Sequence, residues 1–161
     1  AFKRRWDFEH VSIYEAEKKI ETSVQGNLKK IYIETPLLEF RNPDGKENKE
    51  ETVKVSWWNL RRAINEILEE DCTEDQLIGP FFLSGRELKT KKSLEKSIAN
   101  KVFHYLRDDV LRYESKIKKV FYKSVPLSTL KRNFDKKDPV LSKELFMKLS
   151  ETDSSKEPGS S

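Results

Sequence analysis

Two long segments of the chain repeat apolar residues at the spacing of an amphipathic helix. The first covers residues 56–70, has Ser56 placed to cap its start, and leaves Trp58 off its apolar face. The second covers residues 93–121, has Ser93 placed as a cap, and could divide at Asp108-Asp109. The apolar faces consist of Trp57, Leu60, Ile64, Ile67 and Leu68 in the first segment, and of Ile98, Val102, Leu106, Val110, Tyr113, Ile117 and Phe121 in the second. We therefore predict two helices that pack against each other.

Shorter segments have the residue types and the alternation of β-strands. In residues 6–13 aromatic and acidic residues alternate, which predicts a strand, and residues 31–33 are also β-like. Residues 37–55 hold two apolar runs separated by a turn in which Pro43 fixes φ and Gly45 permits a positive φ. This pattern predicts a β-hairpin with a charged tip.

The remaining segments complete a mainly α fold with a small β element. Short helices are predicted near residues 127–134 and 139–149, whereas Pro80 prevents a regular helix through the apolar stretch around it. Residues 150–161 lack the apolar side chains that a packed segment needs, so we expect them to be disordered. We divide the chain into a strand region, a helical domain that includes the hairpin, and a tail, at residues 1–13, 14–149 and 150–161.

Composition restricts the classes of function. Cys72 is the only cysteine, and His10 and His104 are the only histidines, so we expect neither an intrachain disulfide nor a metal site. No apolar run approaches the length of a membrane span, and we expect a cytoplasmic protein. Fifteen basic and five acidic residues give the segment 89–137 a net charge of +10, whereas residues 1–55 are neutral, so the basic charge is concentrated.

The chain opens with the basic and aromatic run AFKRRWDF. Arg4 and Arg5 directly precede the predicted strand, whose alternate aromatic residues need to be buried. One interpretation is a basic flank on an edge strand, which contributes little to stability. The other is an arginine finger, a guanidinium that stabilises the charge on a phosphoryl group held by a neighbouring subunit.

Three blocks of the chain resemble the C-terminal part of McrB-type AAA+ NTPases of methylcytosine-dependent restriction systems. The AFKRRW run is similar to the ALRRRF-type stretch that closes the AAA+ core before its last strand. The helix that begins with Trp57, followed by the stretch IGPFF at 78–82, is similar to a lid helix followed by Ile-Gly-His-x-Tyr-Phe, with Pro80 in place of histidine. Residues 98–110 are similar to the lid helix I-x-P-L-L-x-E-Y-F-x-D-D, although they lack its proline and glutamate.

The resemblance implies an AAA+ C-terminal helical lid, preceded by the last strand of the core and carrying the hairpin as an insertion. It implies that the parent protein binds GTP or ATP with Mg²⁺ and forms a ring, expected to be a hexamer, in which Arg4 and Arg5 act in trans. It also implies a nuclease subunit as partner, with DNA contacted indirectly. The lid residues expected to contact the nucleotide are Ile78, Gly79, Pro80 and Phe82.

A basic helical module that binds nucleic acid or a protein partner is the alternative. The segment 89–137 would then follow a phosphate backbone, with Lys89, Lys91 and Lys92 as its contacts. The aromatic residues of this segment lie on its apolar stripe rather than among the lysines, so they provide no stacking platform. A solvated helix face is the simpler interpretation of these lysines, and of Asp108-Asp109 as capping or ion-pairing residues. His104 is expected to be half-buried in packing.

We predict that the purified chain does not hydrolyse GTP or ATP. The sequence contains no G-x-x-x-x-G-K-[ST] loop, whose backbone amides and lysine bind the phosphates, and we expect that loop to lie N-terminal to Ala1 in a longer protein. A phosphate-release assay with Mg²⁺ should give the rate of the buffer alone. Magnesium-dependent turnover would contradict both this prediction and the resemblance.

Overall fold

A computed structural model describes residues 13–23, 26–44 and 51–152. The described part is mainly helical with one two-stranded antiparallel sheet, which confirms the predicted fold class. A 3-10 turn covers Glu74–Gln76, and π-helical turns cover Ile98–Val102 and Tyr105–Val110. The other elements are α1 (Ile13–Glu21), α2 (Asn27–Tyr32), β1 (Leu38–Arg41), β2 (Thr52–Val55), α3 (Trp57–Leu68), α4 (Gly85–Leu88), α5 (Lys91–Ser97), α6 (Glu114–Val120), α7 (Leu127–Asp135) and α8 (Lys143–Ser150).

The predicted hairpin is confirmed. In β1 and β2 the register pairs Leu38 with Val55 and Phe40 with Val53, and all four side chains are buried on one face. Their alternation with polar residues places the other face toward solvent, as expected for an antiparallel pair with one covered side. Residues 45–50 at the tip lie outside the described part.

Helix α3 follows β2 directly and carries much of the core. The Asn59 N–H donates to Ser56 Oγ over 3.2 Å, so Ser56 is the cap that the sequence predicts. The apolar face is buried as expected, but Trp58 is buried as well. It is buried because the Arg61 guanidinium carbon lies 4.6 Å from the centre of its ring and covers one of its faces.

The helical segment predicted at 93–121 is divided into two, as the sequence allowed, although the break follows the Asp108-Asp109 pair instead of falling at it. A continuous helix covers residues 91–110, and Leu111 then leaves helical geometry at φ −101° and ψ 67° before α6 begins. Thr90 rather than Ser93 caps this helix, since Thr90 Oγ1 accepts from the Ser93 N–H. Because the helix is interrupted at residues 111–113, Tyr113 does not continue its apolar stripe and is 69% exposed.

Wide turns within the 91–110 helix keep its apolar residues on one face. Phe103 and Leu111 donate their N–H groups to the carbonyls five residues earlier, of Ile98 and Leu106. Such turns take up more residues than an α turn. The buried residues on this face are Leu94, Ile98, Val102, Leu106 and Val110. Their spacing of four residues is longer than the α-helical repeat of 3.6 residues per turn, and the wide turns offset this difference.

The C-terminal helices close the core from the other side. Helix α7 matches the helix predicted at 127–134, whereas α8 begins four residues later than the predicted 139. Leu141 instead forms an antiparallel bridge with Phe121. Ser142 supports both elements, because its hydroxyl accepts from the Leu145 N–H at the start of α8 and donates to the Lys119 carbonyl.

A chain of aromatic rings joins the hairpin to these helices. Phe40 stacks on Phe134 with ring centres 5.7 Å apart, and Phe134 meets Phe103 edge-on at 5.3 Å. Phe103 in turn meets Phe121 edge-on at 5.4 Å.

Helix α3 packs against α6 and α8, and the 91–110 helix packs against α4 and α7. The predicted contact between the two long helical segments is therefore made by α6.

The N-terminal part of the domain differs from expectation at residues 31–33. These residues were predicted as β-like, but Ile31 and Tyr32 lie in α2, and Ile33 donates its N–H to the Lys29 carbonyl. Tyr32 meets Phe81 edge-on at 5.0 Å, and this tertiary contact outweighs a weak local preference for strand. The strand predicted at 6–13 lies outside the described residues except for Ile13, which begins α1. Of the predicted tail, Ser150 ends α8 and residues 153–161 lie outside the described part.

We predict that Ile64→Ala lowers the free energy of unfolding by about 2–5 kcal/mol, because it leaves a cavity in the buried face of α3. Urea unfolding followed by circular dichroism measures the change. Met147→Ala is the matched control: Met147 lies on α8, which packs against α3, but is 54% exposed. Equal stability of the two variants would contradict the assigned packing.

Candidate functional site

The stretch that resembles the nucleotide-proximal part of a lid forms an ordered loop across the core. We call residues 77–83 the Gly-Pro loop. Its Phe82 N–H donates to the Gly79 carbonyl over 3.1 Å, which forms a turn with Pro80 in the position that its fixed φ favours. Leu77, Ile78, Pro80 and Leu83 are buried, whereas Gly79 and Phe82 are partly exposed.

The side chain of Asn65 on α3 hydrogen-bonds to the backbone of this loop. Its side-chain Oδ1 accepts from the Ile78 N–H over 2.7 Å, and its Nδ2 donates to the Ile78 carbonyl over 2.9 Å. The amide therefore pairs with Ile78 as a neighbouring strand would. This pairing is needed because the loop is buried and has no regular secondary structure of its own.

Arg61 lies one turn earlier on α3 and is completely buried. Its Nη1 donates to the same Ile78 carbonyl over 3.1 Å, and its Nη2 lies 2.6 Å from Glu17 Oε1 of α1. Burial lowers the pKa of Arg61, and the carboxylate of Glu17 opposes that shift. Because a buried guanidinium stays charged, Glu17 is required to compensate it.

Two further polar pairs connect α1 with α3. The Tyr14 hydroxyl donates to Glu69 at the end of α3, which raises the pKa of Tyr14 to about 12. Arg62 Nη1 lies 3.9 Å from Glu21 Oε1. Helix α1 is thus attached to α3 along its length, and the buried Glu17–Arg61 pair lies between two exposed ones.

Tyr105 holds the loop from the side of the 91–110 helix. Its hydroxyl donates to the Gln76 carbonyl over 2.9 Å, and its ring lies 5.2 Å from that of Phe82. Burial, with a smaller effect of the nearby Asp109, raises the pKa of Tyr105 to about 12, so this hydroxyl remains a donor at neutral pH. The Gly-Pro loop is therefore fixed to two helices that are far apart in sequence.

This geometry divides the predicted nucleotide-contact residues into two groups. Ile78 and Pro80 are buried, and both backbone polar groups of Ile78 are already hydrogen-bonded within the protein. Gly79 and Phe82 remain partly accessible at the turn. A ligand can reach the loop at these two residues, and their contact with a nucleotide stays a prediction.

The other predicted site residues lie elsewhere. Arg4 and Arg5 fall outside the described residues. Lys89, Lys91 and Lys92 are exposed around the junction of α4 and α5.

One member of the acidic pair on the 91–110 helix, Asp108, lies close to basic side chains. Asp108 Oδ2 lies 3.3 Å from His104 Nε2, and Asp108 Oδ1 lies 3.7 Å from Arg107 Nη1. This confirms ion pairing for Asp108. The His104 side chain is 53% exposed, so about half of it is covered, in line with the expectation.

Within the described ranges, no group of three or more His, Cys, Asp and Glu residues could hold a metal ion. Searching the same residues finds no helix with both the length and the apolar character needed to cross a membrane.

Sequence reasoning missed Glu17, Arg61 and Asn65. A signal for two of them was present, since Arg61 and Asn65 are four residues apart and lie among Leu60, Ile64 and Leu68 on the apolar face of α3. Polar residues at core positions need partners, which the sequence does not name. Glu17 and Ile78 are 44 and 17 residues from Arg61, respectively, and only the fold brings them together.

No family model matches this chain, and no solved structure matches it. A protein of Bacillus subtilis (strain 168), the type II restriction enzyme BsuMI component YdiS, is 28% identical to it over 141 residues. The aligned region covers 87% of this chain and 34% of the relative, so the chain spans about a third of that protein's length. The chain is thus similar to a component of a restriction system.

We predict that Asn65→Ala destabilises the fold by about 1–3 kcal/mol, because it leaves the buried Ile78 N–H without an acceptor. Urea unfolding measures the loss, and hydrogen exchange should show faster exchange at Ile78. Asn100→Ala, at an exposed position of the 91–110 helix, is the matched control and should change stability little. Equal effects of both substitutions would show that Asn65 does not hold the loop.

Proposed function

We propose that this chain is the helical lid of an AAA+ nucleoside triphosphatase that works in a DNA restriction system, in defence against foreign DNA. The observation that carries the proposal is the similarity to a restriction-enzyme component over 87% of the chain. The three blocks that resemble McrB-type NTPases add the finer assignment. The second of these blocks is α3 with the Gly-Pro loop, and the third is the 91–110 helix. Both contribute to one packed core.

The phosphate-binding loop would lie in another part of the same protein, because this chain contains none. That part would hold GTP or ATP with Mg²⁺, and the lid would close over the bound nucleotide. The accessible residues Gly79 and Phe82 are then the lid positions best placed for contact. A backbone turn suits this role, because it can approach a ligand closely without a bulky side chain at Gly79.

The buried polar contacts supply a path from the loop to α1. Displacing Ile78 would break its hydrogen bonds to Asn65 and Arg61, and Arg61 is itself held by Glu17. The Gly-Pro loop, α3 and α1 would therefore move as one unit, because separating them would break these buried contacts. Since α1 begins eight residues after Arg5, movement of the lid would reposition the proposed arginine finger in the neighbouring subunit's site.

The proposed assembly is a ring, expected to be a hexamer, located in the cytoplasm and working with a nuclease subunit. Arg4 and Arg5 would stabilise charge on the phosphoryl group in trans, while the nuclease would cut DNA. Coupling the ring to a nuclease would make nucleotide hydrolysis a control on DNA cleavage, as in the restriction systems that the sequence resembles.

We predict that the double substitution Arg4→Ala, Arg5→Ala in the full-length protein lowers nucleotide hydrolysis by about 10³–10⁵-fold, because the transition-state charge loses its cation. Mixing this variant with one that lacks the lysine of the phosphate-binding loop should restore part of the activity. Some interfaces in mixed rings then join an intact phosphate-binding loop to intact arginines.

The matched control is Lys18→Ala, Lys19→Ala, which removes two exposed cations from α1 and should leave hydrolysis near the wild-type rate. Full activity of the arginine variant alone would disprove the finger. An inactive variant that mixing never rescues would favour the basic flank on an edge strand.

A further inference from the structure

Exposed basic residues from two distant parts of the sequence lie on elements of the domain that pack against one another. Helix α2 packs against α4, and α4 packs against α5. Gly85 permits the close approach of α2, because a Cβ at this position would lie 2.9 Å from Ile31 Cγ2. We call six exposed basic residues of α2, of α4, of the junction between α4 and α5 and of the first turn of α5 the basic face: Lys29, Lys30, Arg86, Lys89, Lys91 and Lys92.

The charge of this face is not neutralised within the described part of the chain. None of its six basic side chains has an acidic partner there, whereas nearby basic residues outside it do. Glu87 of α4 pairs with Lys101, and Glu95 of α5 pairs with Lys137 over 3.1 Å. The acidic groups of α4 and α5 are thus occupied by residues outside the face, and Glu34 after α2 is the exposed acidic residue nearest in sequence.

We propose that the basic face binds the phosphate backbone of duplex DNA. A group of uncompensated basic side chains on a folded surface fits a polyanion, since each phosphate contact releases a condensed counterion. Short helices with exposed lysine ends present no side-chain set for reading base edges, so the contact positions DNA without selecting its sequence. DNA is chosen over other polyanions because of the proposed restriction function, but the contact requires no nucleotide hydrolysis.

The lysines of α2 allow binding at this face to be distinguished from a general attraction of DNA to positive charge. Lys29 and Lys30 belong to the neutral segment 1–55, whereas the segment 89–137 carries the net charge of +10. If net charge alone decided binding, any two basic residues of the second segment would matter as much as Lys29 and Lys30. If DNA binds at the basic face, Lys29 and Lys30 of α2 contribute to binding together with Lys89, Lys91 and Lys92.

The test compares two double variants with the same change in charge. Lys29→Ala, Lys30→Ala removes two residues of the face, and Arg132→Ala, Lys136→Ala removes two exposed residues of the +10 segment, one in α7 and one directly after it. Binding of the 161-residue chain to a fluorescently labelled DNA duplex is measured by anisotropy over a range of salt concentrations, after circular dichroism confirms folding.

We expect the α2 variant to bind about tenfold more weakly at moderate salt, and its slope of log affinity against log salt to fall by about 2. The α7 variant should keep the wild-type slope. Equal losses in both variants, or no binding by the wild type, would overturn the proposal. Tighter binding to polyglutamate than to DNA would assign the face to an acidic protein instead. None of these outcomes depends on hydrolysis, so they leave the proposed NTPase function to its own test.

Discussion

The domain depends on how the Gly-Pro loop satisfies its buried backbone. Pro80 rules out a helix through this stretch, and its apolar neighbours draw it into the core all the same. Asn65 resolves this conflict by giving Ile78 both a donor and an acceptor, and Arg61 adds a second donor to the same carbonyl. The position of the loop relative to α3 is therefore set by three directional contacts rather than by apolar packing alone.

Burying Arg61 for this purpose has a consequence for the rest of the fold. A guanidinium without exposed surface requires a nearby carboxylate, which Glu17 provides from α1. The N-terminal helix is in this way tied to the centre of the domain by charge as well as by Ala16 and Ile20, which are buried. In the proposed NTPase, the same pair would connect the segment behind Arg4 and Arg5 with the loop near the nucleotide.

The 91–110 helix shows a second constraint, set by spacing. Positions four apart turn by about 40° per step on a regular α-helix, so a stripe of five would wind around the surface. The two π-helical stretches take up the excess and leave Leu94 through Val110 on one face. They also bring Tyr105 to the end of the Gly-Pro loop, in keeping with the frequent association of such turns with functional sites.

The sequence by itself determined the elements whose signals are local. The amphipathic face and Ser56 cap of α3, the hairpin of β1 and β2, and the break at Pro80 follow from neighbouring residues within a few positions. The helical state of Ile31 and Tyr32 was decided by tertiary structure. It depends on the contact of Tyr32 with the distant Phe81, which outweighs a local preference of less than about 1 kcal/mol. The burial of Trp58 instead involves Arg61, three residues along the same helix. The network of Glu17, Arg61, Asn65 and Ile78 was also decided by tertiary structure, because a buried polar residue shows that it needs partners but only the folded chain supplies them.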